Sequence, residues 1–219
     1  PDIGIVLVID RSGSMQGPAL LLAQSAAIAA ARALGPDDLI EVVAFDSEPE
    51  RVVRMQPARN RVRIENELRR LRSGGGTAIF PALDAAAQDL AVTRAVTRHV
   101  ILLTDGEGQP DEPPRLQVLA DSLFADGVTV STVGLGAAVN RHLLEGLAHR
   151  GHGRSYFTVD AANLPQIFLG RPTSSRGAPP SRSPPSRASR RRRPPSASSA
   201  VTSRTSTATS ARARRPSPR

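Results

Sequence analysis

From residue 3 to about residue 168 the chain alternates short, nearly unbroken apolar runs with longer stretches of helical spacing. Ile3 to Ile9, Leu39 to Phe45 and the run from His99 into Thr104 are apolar at nearly consecutive positions rather than at every second one, while Val128 to Val133 and Ser155 to Val159 are β-rich runs with Thr and Ser among the apolar residues. Strands apolar on both faces belong in a parallel sheet covered by helices. The intervening stretches supply those helices. Ala19 to Leu34 is dense in Ala and Leu, with Pro18 at its start and Gly35-Pro36 after its end. Ile64, Leu68 and Leu71 recur at i, i+4 and i+7 behind Asn60, a candidate N-cap, with arginines on the outer face. Ile79 to Leu90, Leu116 to Phe124 and Arg141 to Leu147 read as further helices, and Leu164 to Phe168 as a closing one. Arg51 to Met55, after the Asp46-Ser47-Glu48-Pro49 turn, reads as a third strand, suited to an antiparallel edge. The expectation for residues 1–170 is an α/β fold: a doubly wound, Rossmann-like open sheet of about six mostly parallel strands, helices on both faces.

At Arg171 the pattern ends. Residues 171–219 consist of Arg, Ser, Pro, Ala, Thr and little else, with Val201 the only large aliphatic side chain and no aromatic or acidic residue. Such a segment cannot bury enough apolar surface to offset its ordering entropy, so a disordered Arg/Ser/Pro-rich tail is expected. Charge follows the same boundary. Residues 1–170 hold all 20 acidic residues and 16 of the 29 arginines, a net −4, whereas the tail is +13. The overall +9 is therefore a property of the tail, whose Arg190 to Arg193 run could bind nucleic acid or anionic lipid through counterion release. The same composition is what an out-of-frame reading of GC-rich coding DNA would give.

Two absences narrow the chemistry. The chain has no cysteine, which removes disulfides, zinc-thiolate sites and thiol nucleophiles. It also has no lysine, which removes the phosphate-binding P-loop and Schiff-base catalysis. The longest apolar stretch, Ala19 to Leu34, is broken by Gln24, Ser25 and Arg32 and is too short and polar to span a bilayer. A start at Pro1, almost directly on a strand, suggests a fragment whose localisation signals lie elsewhere.

Three turns carry oxygen donors. Asp10-Arg11-Ser12-Gly13-Ser14 follows the first strand, Thr77 lies in the Ser73-Gly74-Gly75-Gly76-Thr77-Ala78 loop before a helix, and Asp105 ends the fourth strand before Gly106. Taken singly, each is better explained by a capped turn or a flexible loop. Strand order 3-2-1-4-5-6 changes this, because it makes the first and fourth strands neighbours at the point where open α/β sheets bind their ligands. Asp10 and Asp105 then end side by side and need a cation. A set of carboxylates and hydroxyls suits a small hard ion that keeps several waters, Mg²⁺ best and Mn²⁺ next.

With these pieces in this order, and in the contexts IVLVID, GGGTAI and VILLTDG, residues 3 to 168 resemble a von Willebrand factor type A domain, and most of all its bacterial members. The resemblance implies a complete metal-ion-dependent adhesion site. Ser12, Ser14 and Thr77 would offer hydroxyl oxygens, Asp10 and Asp105 would bind directly or through water, and an Asp or Glu of a partner protein would complete the octahedron. It implies a binding module rather than an enzyme, within a larger and frequently envelope-associated protein. The competing reading is a Mg²⁺-dependent phosphohydrolase of haloacid-dehalogenase type with Asp10 as nucleophile. Such enzymes usually carry a second Asp two residues on and a basic Lys, whereas this chain has Ser12 and no lysine.

Other groupings are weaker. His142, His149 and His152 suggest solvated loop residues more than a zinc site. Gly134 and Gly136 follow a strand without the third glycine of a dinucleotide site. Asp46, Glu48 and Glu50 read as a solvated turn rather than a second cation site, and Arg61, Arg63, Arg69, Arg70 and Arg72 as a solvated helix face.

Overall fold

A computed structural model of the chain describes residues 1–108, 112–137 and 139–159. Both the expected closing helix, Leu164 to Phe168, and the basic tail lie outside them. The described elements run β1 (Ile3–Asp10), α1 (Pro18–Ala33), β2 (Leu39–Phe45), β3 (Pro49–Pro57), α2 (Arg61–Arg70), α3 (Ile79–Ala91), β4 (Thr97–Thr104), α4 (Glu112–Ala125), β5 (Val128–Leu135), α5 (Arg141–Arg150) and β6 (His152–Thr158). One short 3-10 turn, Gly13–Met15, was not legible in the sequence and sits inside the first oxygen-bearing loop.

The sheet has the order β3-β2-β1-β4-β5-β6. Every pairing is parallel except that of β2 with the edge strand β3, which is antiparallel and bulged near Val42. β3 is nine residues long, four more than its apolar pattern indicated, because an edge strand with one solvated face tolerates arginine and glutamate inside it.

Alternate residues of the central strands feed two cores. Leu7, Ile9, Val42, Leu103 and Val133 pack beneath α1 and α2. Val6, Val8, Val43, Val100 and Val130 pack beneath α3, α4 and α5. Two features dock the α1 layer. Alanines 23, 26, 27, 30 and 31 of α1 are buried and allow a close approach to the sheet, while the buried Gln24 amide donates to the Leu71 carbonyl (3.2 Å) at the end of α2. Asn60 caps α2 through the Arg63 N–H, as its position suggested, and Asn140 caps α5 through that of Leu143. Among the described residues no helix is long and apolar enough to cross a membrane.

Candidate functional site

The carboxyl ends of β1 and β4 meet where the chain's winding reverses. Parallel register sets Ile9 beside Leu103, so the next residues, Asp10 and Thr104, are also adjacent. Asp10 is fully buried and each of its oxygens is held. The Ser12 backbone N–H donates to Oδ1 at 2.8 Å and the Thr104 hydroxyl to Oδ2 at 2.6 Å. Thr104 accepts in turn from the Gly106 N–H (2.9 Å), which fixes the direction of its own proton toward Asp10. This threonine is part of the site, and sequence reasoning passed over it as one more strand residue. Its place immediately before Asp105 was the available signal.

Burial raises the Asp10 carboxyl above the usual aspartate range. Hydrogen bonds from Ser12 and Thr104 oppose that rise, and the neighbouring Asp105 charge adds to it. Asp105 is itself 7% exposed. Its Oδ1 accepts from the Glu107 N–H (3.0 Å) and its carbonyl from the Asn140 N–H (2.9 Å). The turn after it needs glycine. Gly106 has φ +80°, and a Cβ there would lie 3.0 Å from that of Asn140.

The three candidate hydroxyls differ in exposure. Ser12 is buried, Ser14 is exposed, and their hydroxyl oxygens are 3.1 Å apart on the 3-10 turn. Thr77 is half-buried in the glycine loop, which bonds directly to the first loop: Gly74 N–H donates to the Arg11 carbonyl (2.8 Å), and Gly13 N–H to that of Gly75 (3.2 Å). The fold therefore assembles the three loops at one end of the sheet.

The donors suit a hard divalent ion. Two close carboxylates lie out of water, and among the described residues neither is ion-paired to an arginine. Arg11, the nearest cation in sequence, is turned away to Asp46 (3.0 Å) and Glu50 (2.7 Å). Among the described residues no three His, Asp or Glu side chains gather as a metal-binding group, so an ion here would rely on serine and threonine oxygens.

The weaker groupings resolve into packing and ion pairs. Asp46 is Arg11's partner rather than a solvated turn residue, a pairing invisible without the β1–β2 register. His142 and His149 belong to α5, and His152 opens β6 stacked on Phe124 with ring centroids 3.6 Å apart, so the loop expected for them is replaced by regular structure. Gly134 is a packing glycine, since a Cβ there would meet the Phe157 ring at 2.5 Å. The arginines of α2 are exposed, as expected of a solvated face.

Comparison with known proteins gives a consistent picture. The model of the von Willebrand factor type A domain family matches residues 4–169. An uncharacterized protein of Synechocystis sp. is 35% identical over 152 residues, 69% of this chain; the match covers 36% of that protein, so the chain spans about a third of its curated relative. Among solved structures, a von Willebrand factor type A protein from Catenulispora acidiphila superposes with a TM-score of 0.69 at 26% identity, over 76% of this chain and 41% of the other. Proximal thread matrix protein 1 from the mussel byssus, in a form whose MIDAS motif is occupied by zinc, superposes at 0.63 with 22% identity, over 76% of this chain and 44% of that protein.

Proposed function

Given that this chain belongs to the von Willebrand factor type A domain family, we propose that Asp10, Ser12, Ser14, Thr77 and Asp105 hold one divalent ion, Mg²⁺ or Mn²⁺, through which the domain captures an acidic side chain of a partner protein. The observation that carries this reading is the pair of buried carboxylates, Asp10 and Asp105, without an arginine counter-charge among the described residues, on the loops that also carry the hydroxyls of Ser12 and Ser14. When bound, the ion supplies a positive coordination position that accepts a carboxylate oxygen.

The chain's own residues do the rest. Thr104 and the Ser12 N–H orient both lone-pair faces of Asp10 before any ion arrives, which lowers the reorganisation needed on binding. Asp105 is steadied by the Glu107 and Asn140 amides. Three of the five oxygens are neutral hydroxyls, weaker donors than carboxylates, so a divalent ion held by this set would keep enough Lewis acidity to take a further carboxylate. The module binds and releases without breaking bonds.

The test is calorimetric titration of the intact chain with Mg²⁺, Mn²⁺ and Zn²⁺, the last because the mussel protein of the same fold holds zinc. Saturable binding that disappears in Asp10→Ala and Asp105→Ala supports the site. Absence of binding, or unchanged affinity in both variants, overturns it. Affinity capture with and without EDTA, comparing wild type with Asp10→Ala, then reads the partner.

A further inference from the structure

The glycine loop carrying Thr77 has little of its own to hold one hydroxyl in place. Gly74, Gly75 and Gly76 precede Thr77, and no regular element spans residues 71–78. The order comes from elsewhere. The N–H groups on either side of Thr77 both point into the turn between β2 and β3: Gly76 donates to the Ser47 hydroxyl (3.0 Å) and Ala78 to the Asp46 carbonyl (2.8 Å). At Gly75 the turn comes so near that an added Cβ would lie 2.9 Å from that of Asp46, at a φ of +76°.

The turn is itself fastened. Asp46 Oδ1 accepts from its following amides, Ser47 (2.6 Å) and Glu48 (3.3 Å), while Oδ2 accepts from Arg11 Nε (3.0 Å). Arg11 stands between Asp10 and Ser12, and its carbonyl takes the Gly74 N–H. One arginine thus ties the loop of Asp10, Ser12 and Ser14 to the turn that grips Thr77.

We infer that Arg11, Asp46 and Ser47 form a brace that positions the Thr77 hydroxyl for metal coordination, a role resting on the five-oxygen reading proposed above. None of the three is a ligand; each acts through the loop. Groups of this kind around metal ligands typically change affinity by about 10- to 100-fold when removed.

The test uses the intact chain and Mn²⁺, with the free ion followed by electron paramagnetic resonance. Ser47→Ala should weaken binding about 10-fold and Asp46→Ala by more, toward 100-fold. A brace that works through Thr77 has a further signature. Ser47→Ala should add little in a Thr77→Ala background, yet multiply in full with Ser14→Ala. Circular dichroism melts identify any variant that fails to fold; if Asp46→Ala does, the milder Ser47→Ala decides. Wild-type affinity in Ser47→Ala, or a full independent loss on top of Thr77→Ala, overturns the brace while leaving the metal site standing. Absence of Mn²⁺ binding by the wild type, or binding unaffected by Asp10→Ala, overturns the metal site and the brace with it.

Discussion

The Thr104 hydroxyl donates to the Asp10 carboxylate at 2.6 Å, joining residues 94 positions apart at the meeting of β4 and β1. A buried carboxylate with a fixed donor on each oxygen is held in one rotamer, so its position reflects strand register more than local loop conformation.

Thr104→Val keeps the shape of the side chain and removes that donor and the acceptor for Gly106. The expected result is divalent-ion affinity lower by about 10-fold, with stability lower by about 1–2 kcal/mol. Calorimetric titration together with urea denaturation separates the two effects.

Mg²⁺ should raise the melting temperature of the wild type, because an ion that binds only the folded chain stabilises it by mass action, about 2.7 kcal/mol at a hundred times Kd. In Asp10→Asn the Mg²⁺-dependent rise should vanish. Melting curves with and without Mg²⁺ check both statements.

Glu41 is a buried acid far from the proposed metal site. It is 1% exposed on β2, its Oε2 makes no hydrogen bond among the described residues, and Arg51 reaches its other oxygen only at 3.7 Å. Burial and then the adjacent Asp89 push its carboxyl from 4.5 up to about 7. The folded chain therefore keeps a proton that the unfolded chain has lost between pH 4.5 and 7, and stability falls as pH rises through that window. Glu41→Gln should remove this fall and gain on the order of 1–3 kcal/mol at pH 8 relative to wild type. Denaturant titrations at pH 5, 6, 7 and 8 test it.

His99 pulls in the opposite sense. Half-buried on β4 between β1 and β5, with Nδ1 2.6 Å from the Thr129 hydroxyl, it is pushed by desolvation from 6.5 to about 4. The unfolded chain takes up a proton that the folded chain refuses, so this contribution is whole above pH 6.5 and is lost as pH falls toward 4. His99→Gln should flatten the acid limb of the stability profile. Because Glu41 and His99 slope against each other between pH 4.5 and 6.5, the informative quantity is each variant's difference from wild type, and an unchanged profile in either variant would refute its assignment.

Much of this protein was written in local pattern. Consecutive apolar residues in β1, β2 and β4 marked strands buried on both faces, because only a covered parallel strand must be apolar at every position. Their alternation with helical segments marked a mostly parallel sheet, and the strand order 3-2-1-4-5-6 that would bring the three loops together is the one observed, with β1 beside β4. The antiparallel edge was also legible, although its true length was hidden by arginines that an edge strand can expose.

The pairings that organise the proposed site were not legible in this way. Asp46 in its turn, and Arg11 between two ligand candidates, look like solvated charges until the sheet brings residues 35 positions apart into hydrogen-bonding distance. Thr104 looks like any strand threonine until β4 lies next to β1. By itself the sequence determined which elements form and which residue types stand at their ends, because burial and periodicity are local demands. Only the tertiary structure decided which of those ends meet and which neighbours fix their rotamers, because a hydrogen bond across the sheet depends on register.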